Sequence, residues 1–119
     1  MSALDHRSPV DRPDALADGT RVTMRRVRLR DLEALGSLAA RAGIVCEEFE
    51  LARLVRSDPA ERLVLCAIEL GGDTVLGIGV IELGRSATMP SLVLVDPAAG
   101  RTLARMLADA LIERARAAA

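Results

Sequence analysis

The residues with the clearest chemical potential run from Val95 to Ala104, VDPAAGRTLA. The apolar run SLVLV leads into them, and a helical pattern that carries the chain to its end follows at once. A short strand, a small-residue loop with one glycine and an immediate helix start form an anion-binding arrangement. The first backbone N–H groups of a helix lack intrahelical partners, and the helix dipole adds partial positive charge at the same place. The loop is not a nucleotide P-loop, which requires a glycine-lysine-hydroxyl ending, and this 119-residue chain contains no lysine.

Other chemistry is sparse. The 16 basic residues, all arginine, face 17 acidic ones for a net charge of −1, whereas a phosphate-backbone binder carries a basic excess. One Phe and no Trp or Tyr leave no stacking platform for single-stranded nucleic acid, so nucleic acid is not an expected partner. Without Lys there is no amine nucleophile, and without Asn or Gln no carboxamide orients a water. Cys46, Cys66 and the single histidine, His6, lie far apart in the chain. They have neither zinc nor CxxC spacing, so no metal is expected and the thiols read as reduced and packed. Glu69 and Glu82 read as solvated strand-terminal charges, with a base acting through water as the functional alternative. Arg25, Arg26, Arg28 and Arg30 read as a solvated sheet edge rather than an anion patch. No uncharged apolar run reaches the roughly 18 residues of a membrane helix, and the N-terminus has no apolar signal region. A soluble, cytoplasmic protein without a membrane partner is expected.

Several elements must position the loop. Residues 1–19 combine Pro9, Pro13 and Gly19 with aperiodic charges and read as a flexible leader to a single domain over 20–119. A strand over 21–29 has Val22 and Met24 in one phase and Val27 and Leu29 in the other, which predicts a bulge or an early end at Arg25–Arg26. Asp31 is expected to cap a helix over 32–42 whose buried face is Leu32, Leu35, Ala39 and Ala42, ended by Gly43. A second helix over 47–57, with Phe49, Ala52 and Val55 on one face, stops at Asp58-Pro59. Residues 62–70 read as a strand buried on both faces, joined by a Gly71-Gly72-Asp73 turn to a second strand over 74–83. Gly77 and Gly79 share one face of that second strand, where a helix or a ligand can approach the backbone. A short strand over 91–95 precedes the last helix, 101–118, which buries Leu103, Met106, Leu107, Ala110 and Leu111. The order β-α-α-β-β-β-α, with short turns between strands, defines an α+β domain built on a mainly antiparallel sheet.

Three segments carry a family resemblance: DGTRVTMRRVRLRDLEAL, LVLCAIELGGDTVLGIGVIEL and SLVLVDPAAGRTLARMLADALIERAR. Together they span residues 18–116 and resemble the N-terminal and central parts of the GNAT superfamily of N-acetyltransferases. The opening segment looks most like the protein-acetylating members. The resemblance implies an incomplete acyl-CoA N-acyltransferase fold, truncated after the coenzyme A-binding loop and helix. It also implies transfer of an acetyl group from acetyl-CoA to an amine. The strand from Leu92 to Val95 would lend backbone groups to the pantetheine arm, Leu94 and Val95 foremost. Gly100, Arg101, Thr102, Leu103, Ala104 and Arg105 would form the pyrophosphate-binding loop and first helical turn.

The sequence departs from the family pattern at Ala99, where a polar residue is usual, and at Thr102, where glycine allows close phosphate approach. It also ends before the strand, helix and hairpin that complete the family's domain, and it has no tyrosine to serve as general acid. A weak or degenerate acetyltransferase is therefore expected, with no identifiable catalytic residue. The alternative is a non-catalytic interaction or acyl-CoA-binding module that dimerises, or pairs with another chain, along the strand over 91–95. A remnant of a longer acetyltransferase is a third reading.

Overall fold

Strands that are apolar on both faces need cover on both sides, and that requirement organises the molecule. In a computed structural model of the chain, which describes residues 14–16, 19–45, 47–84 and 89–118, two such strands lie at the centre. They are β3 (Arg62–Glu69) and β4 (Val75–Glu82). They belong to a sheet in the order β1-β2-β3-β4-β5, every neighbouring pair antiparallel. The outer strands are β1 (Asp14–Ala15) and β2 (Arg21–Arg26) on one side and β5 (Leu92–Val95) on the other. Helices α1 (Leu32–Arg41) and α2 (Glu48–Val55) cover one face, and α3 (Gly100–Ala118) covers the other. The expected α+β class is found, and the expected element order follows one added strand, β1.

Side-chain alternation along β3 divides the core in two. Leu63, Leu65 and Ala67 join Val22, Met24 and Ile81 under Leu103, Leu107 and Leu111 of α3. Val64 and Cys66 join Ile78 and Val80 under Leu35 and Leu38 of α1 and Leu51 of α2. A register shift, in which Ala67 pairs with Gly77 but Ile68 pairs with Val75, puts Val75 on the α1 side as well. Among the described side chains, aliphatic packing supplies this core.

Several local expectations are refined. The phase slip in β2 is an early end at Arg26, after which Val27 donates its N–H to Val64 and packs on the opposite face. Within the stretch read as leader, Asp14–Ala15 pairs with β2 and Leu16 is buried, so apolar burial extends the ordered sheet to residue 14. Residues 1–13, with His6, lie outside the described residues, as does Cys46. Helix α1 buries Leu38 beside Leu35 and Ala39, where Leu32 and Ala42 were expected; Gly43, at φ +73°, ends it. Leu51 is the buried anchor of α2, and the side chain of Phe49 is outside the described set. Among the described residues no helix is long and apolar enough to cross a membrane.

The two glycines of β4 find their partner in α3. A Cβ on Gly77 would stand 2.7 Å from Leu107 Cδ1 and 3.2 Å from both Leu103 Cδ2 and Val95 Cγ1. On Gly79 it would stand 2.6 Å from Leu111 Cδ1, with Leu111 Cγ next at 3.6 Å. Leu103, Leu107 and Leu111 are fully buried and have little room to yield. Gly77→Ala is therefore expected to destabilise by about 2 kcal/mol and Gly79→Ala by about 1 kcal/mol. Urea denaturation of the two variants checks the order; equal or stabilising effects would contradict this packing.

Candidate functional site

The end of β5 sets the geometry of the candidate loop. Asp96 donates its N–H to the Leu76 carbonyl, 2.8 Å away, continuing the ladder that pairs Leu94 with Ile78. Backbone groups alternate in direction along an antiparallel strand, so Leu94 turns its amide and carbonyl toward β4. Those of Val93 and Val95 face the outer edge. Among the described residues no strand pairs there, because β5 ends the sheet. Within the strand expected to lend backbone groups, Val93 and Val95 point outward and Leu94 points into the ladder.

Past β5 the chain turns on Asp96. Its Oδ1 accepts the Ala98 N–H at 2.9 Å, and its carbonyl accepts the N–H groups of Ala99 and Gly100 at 2.9 and 3.3 Å. Gly100 has φ +64° and nothing within 4 Å of where a Cβ would be, so the backbone is bare and open at the helix start. A helix beginning at Gly100 leaves the amides of Ala99 through Thr102 outside its own ladder. Two of these bond to Asp96, which leaves the Arg101 and Thr102 amides as the open donors of the helix start.

The residues expected to act together separate here into two groups. Gly100, Arg101 and Thr102 stand at the accessible tip, and Arg105 is exposed one turn on. Leu103 is fully buried against Gly77, and Ala104 is half-buried. Ala99, noted for lacking a polar side chain, packs against the α3-side core.

Asp96 also reaches across the end of the sheet. Arg41, in the last turn of α1, donates its Nε to Asp96 Oδ2 at 2.6 Å and its Nη2 to the Val75 carbonyl at 2.7 Å. The Ala98 N–H, first, and the Arg41 guanidinium hold the Asp96 carboxyl below its ordinary pKa. Nothing in the residue types alone signalled this pair, whose members are 55 positions apart.

A groove of about 480 Å³ flanks β5 on the α1–α2 face. Leu92 and Leu94 meet Ile78 and Val80 of β4 and Leu51 and Leu54 of α2 along it. Glu82 lies at its end, but its Oε2 accepts Arg62 Nε at 2.7 Å. Glu69 is exposed at the end of β3. Both carboxylates occupy the strand-terminal positions read from the sequence, and Glu82 is ion-paired rather than poised as a base.

A third cluster was missed. Arg25 does not lie on a solvated edge: its Nη1 and Nη2 donate to the two oxygens of Asp31, each at 2.8 Å. Asp31 Oδ2 also accepts the Arg28 N–H at 2.6 Å, so Asp31 fastens the β2–α1 connection and makes no side-chain cap on α1. Burial alone would raise the Asp31 carboxyl, but the hydrogen bonds from Arg25 and Arg28 and the nearby arginine charges hold it below its ordinary value. Beside it burial pushes the Cys66 thiol up to about 11, which leaves it protonated and inert. The phase slip at Arg25 was the one available signal. Among the described residues no group of His, Cys, Asp and Glu gathers to hold a metal.

An antiparallel sheet between a helix pair and a long helix, with the last strand leading directly into the start of that long helix, is the architecture of a GNAT domain. No family model matches the chain, and no curated protein matches it. Among solved structures it is similar to the crystal structure of the GNAT domain of S. lividans PAT, with a TM-score of 0.64 and 18% identity. The likeness covers 92% of this chain and 76% of that one. The chain has the GNAT fold.

The two depressed carboxyls predict an acid limit. The unfolded chain takes up protons near about pH 4, while folded Asp31 and Asp96 hold out to lower pH. Their stabilisation is fully present above that unfolded value and is lost as pH falls through the folded ones. Asp31→Asn is expected to cost about 2 to 3 kcal/mol at neutral pH and to flatten the acid slope. Urea titrations across the acid range measure both; an unchanged slope in the variant would contradict the assignment.

Proposed function

We propose that the chain is an acyl-CoA-binding domain of N-acetyltransferase type, with acetyl-CoA as cosubstrate and an amine as acceptor. The observation that carries this is the open start of α3 at the end of a strand whose outer edge is free of a neighbouring strand among the described residues. The amides of Arg101 and Thr102 would receive the pyrophosphate beside the bare Gly100 backbone, and Arg101 and Arg105 would add positive charge. The outward groups of Val93 and Val95 would hydrogen-bond the pantetheine arm. That arm, running back along β5 for about 13 Å at 3.3 Å per residue, would bring its thioester to the groove lined by Leu92 and Leu94. The groove is then the acceptor side.

Bound acetyl-CoA would supply an acyl group activated for attack by an amine; the chain's own residues bind and orient it. Glu82 is held by Arg62, and the chain has no tyrosine to protonate a leaving thiolate. General acid-base assistance is worth roughly 100- to 10,000-fold, so this reading makes the domain a binder with slow transfer. A cytoplasmic setting belongs to it, in keeping with a free, buried Cys66.

A second reading rests on the same edge. The outward backbone of Val93 and Val95 and the exposed side chain of Leu92 offer a strand on which a second copy of this chain could pair. Light scattering on a concentration series distinguishes the two. The dimer reading expects a mass that rises with concentration and falls on addition of acetyl-CoA, which would compete for the edge. A constant monomeric mass would end it.

Calorimetric titration with acetyl-CoA tests the first reading. Saturable heat is expected below about 1 mM, and Thr102→Gly should tighten binding about threefold by removing a branched side chain at the anion, less than 1 kcal/mol. No heat at millimolar acetyl-CoA would overturn it.

A further inference from the structure

We propose that Arg41 is the positioning residue of the β5–α3 loop, holding Asp96 in place and cancelling a charge that would otherwise oppose an anion there. The inference rests on the acyl-CoA reading for its functional consequence, and on geometry alone for the fastening. Asp96 organises the loop through three bonds: its side chain takes the Ala98 amide and its carbonyl takes those of Ala99 and Gly100. The orientation of the next two amides follows from that turn. Yet a carboxylate at a helix start is itself an anion satisfying the helix terminus, and it would repel a pyrophosphate brought to the same turn.

Arg41 answers both demands. One arm takes Asp96 Oδ2 and the other takes the Val75 carbonyl, so the carboxylate is tied to the frame of β4 and neutralised together. The two bonds need the planar fork of a guanidinium; a lysine ammonium would keep the charge without spanning both acceptors in a fixed geometry. Because Arg41 sits at the C-terminal end of α1, the tie also joins the helix layer on one face of the sheet to the start of the helix on the other.

The experiment has two readouts on the full chain. In ligand-free protein, amide hydrogen exchange at Ala98, Ala99 and Gly100 is expected to quicken in Arg41→Ala, with Arg41→Lys in between, while β3 amides are unchanged. Arg41 is partly exposed, and circular dichroism verifies that the variants fold. In acetyl-CoA titrations, Arg41→Ala is expected to weaken binding about tenfold through the uncompensated carboxylate. Adding Asp96→Asn to it should recover part of that loss, because the amide removes the charge and keeps an oxygen for Ala98. Unchanged exchange in Arg41→Ala overturns the fastening. Quickened exchange with unchanged affinity, or a double variant as weak as Arg41→Ala, overturns the charge role. If the unmodified chain fails to bind acetyl-CoA, the acyl-CoA reading and the charge role fall together, and the exchange result still decides the fastening.

Discussion

The close contact of α3 with the glycines of β4 is the constraint on which the other features depend. Leu103, Leu107 and Leu111 recur at helical spacing, and Gly77 and Gly79 recur at strand spacing on the face beneath them. Two periodicities meet at one seam, and the missing Cβ atoms let the helix settle almost onto the sheet backbone. Once the helix is seated, its start cannot wander. It must lie past the end of β5, beside the strand's outer edge, because the buried Leu103 that contacts Gly77 is itself in the first turn.

On the acyl-CoA reading, that placement brings an electrostatic problem to the end of the sheet. The turn from β5 into α3 is made by an aspartate, which is suited to collecting loop amides but unsuited to a neighbouring anion. Arg41 arrives from the other face of the sheet and bonds both the carboxylate and a β4 carbonyl. The Arg25–Asp31 pair does a related job at the β2–α1 connection. In both cases an arginine fork fixes an aspartate that organises a chain reversal, and in a chain without lysine, asparagine or glutamine this is the polar fastening available.

The elements were largely legible, because burial writes its period into the residues: alternation in β2, continuous apolar runs in β3 and β4, and a 3.6-residue stripe in α3. The candidate loop and helix start were legible as structure. Gly100 at a helix start is a local signal, and its positive φ agrees with it. The roles of individual side chains were not. Ala99 read as a lost contact and proved to be packing. Asp31 read as a helix cap and proved to be half of an ion pair, and Arg25 read as solvated edge.

The sequence by itself determined the order of elements, the apolar seam and the chemistry that is absent, since periodicity and composition are local properties that need no partner. Only the tertiary structure decided which carboxylates are bound and which backbone groups face outward. It also decided that Arg41 and Asp96 meet across 55 residues. Those outcomes depend on register and on the end-to-end placement of layers, and neither is encoded in any short stretch of chain.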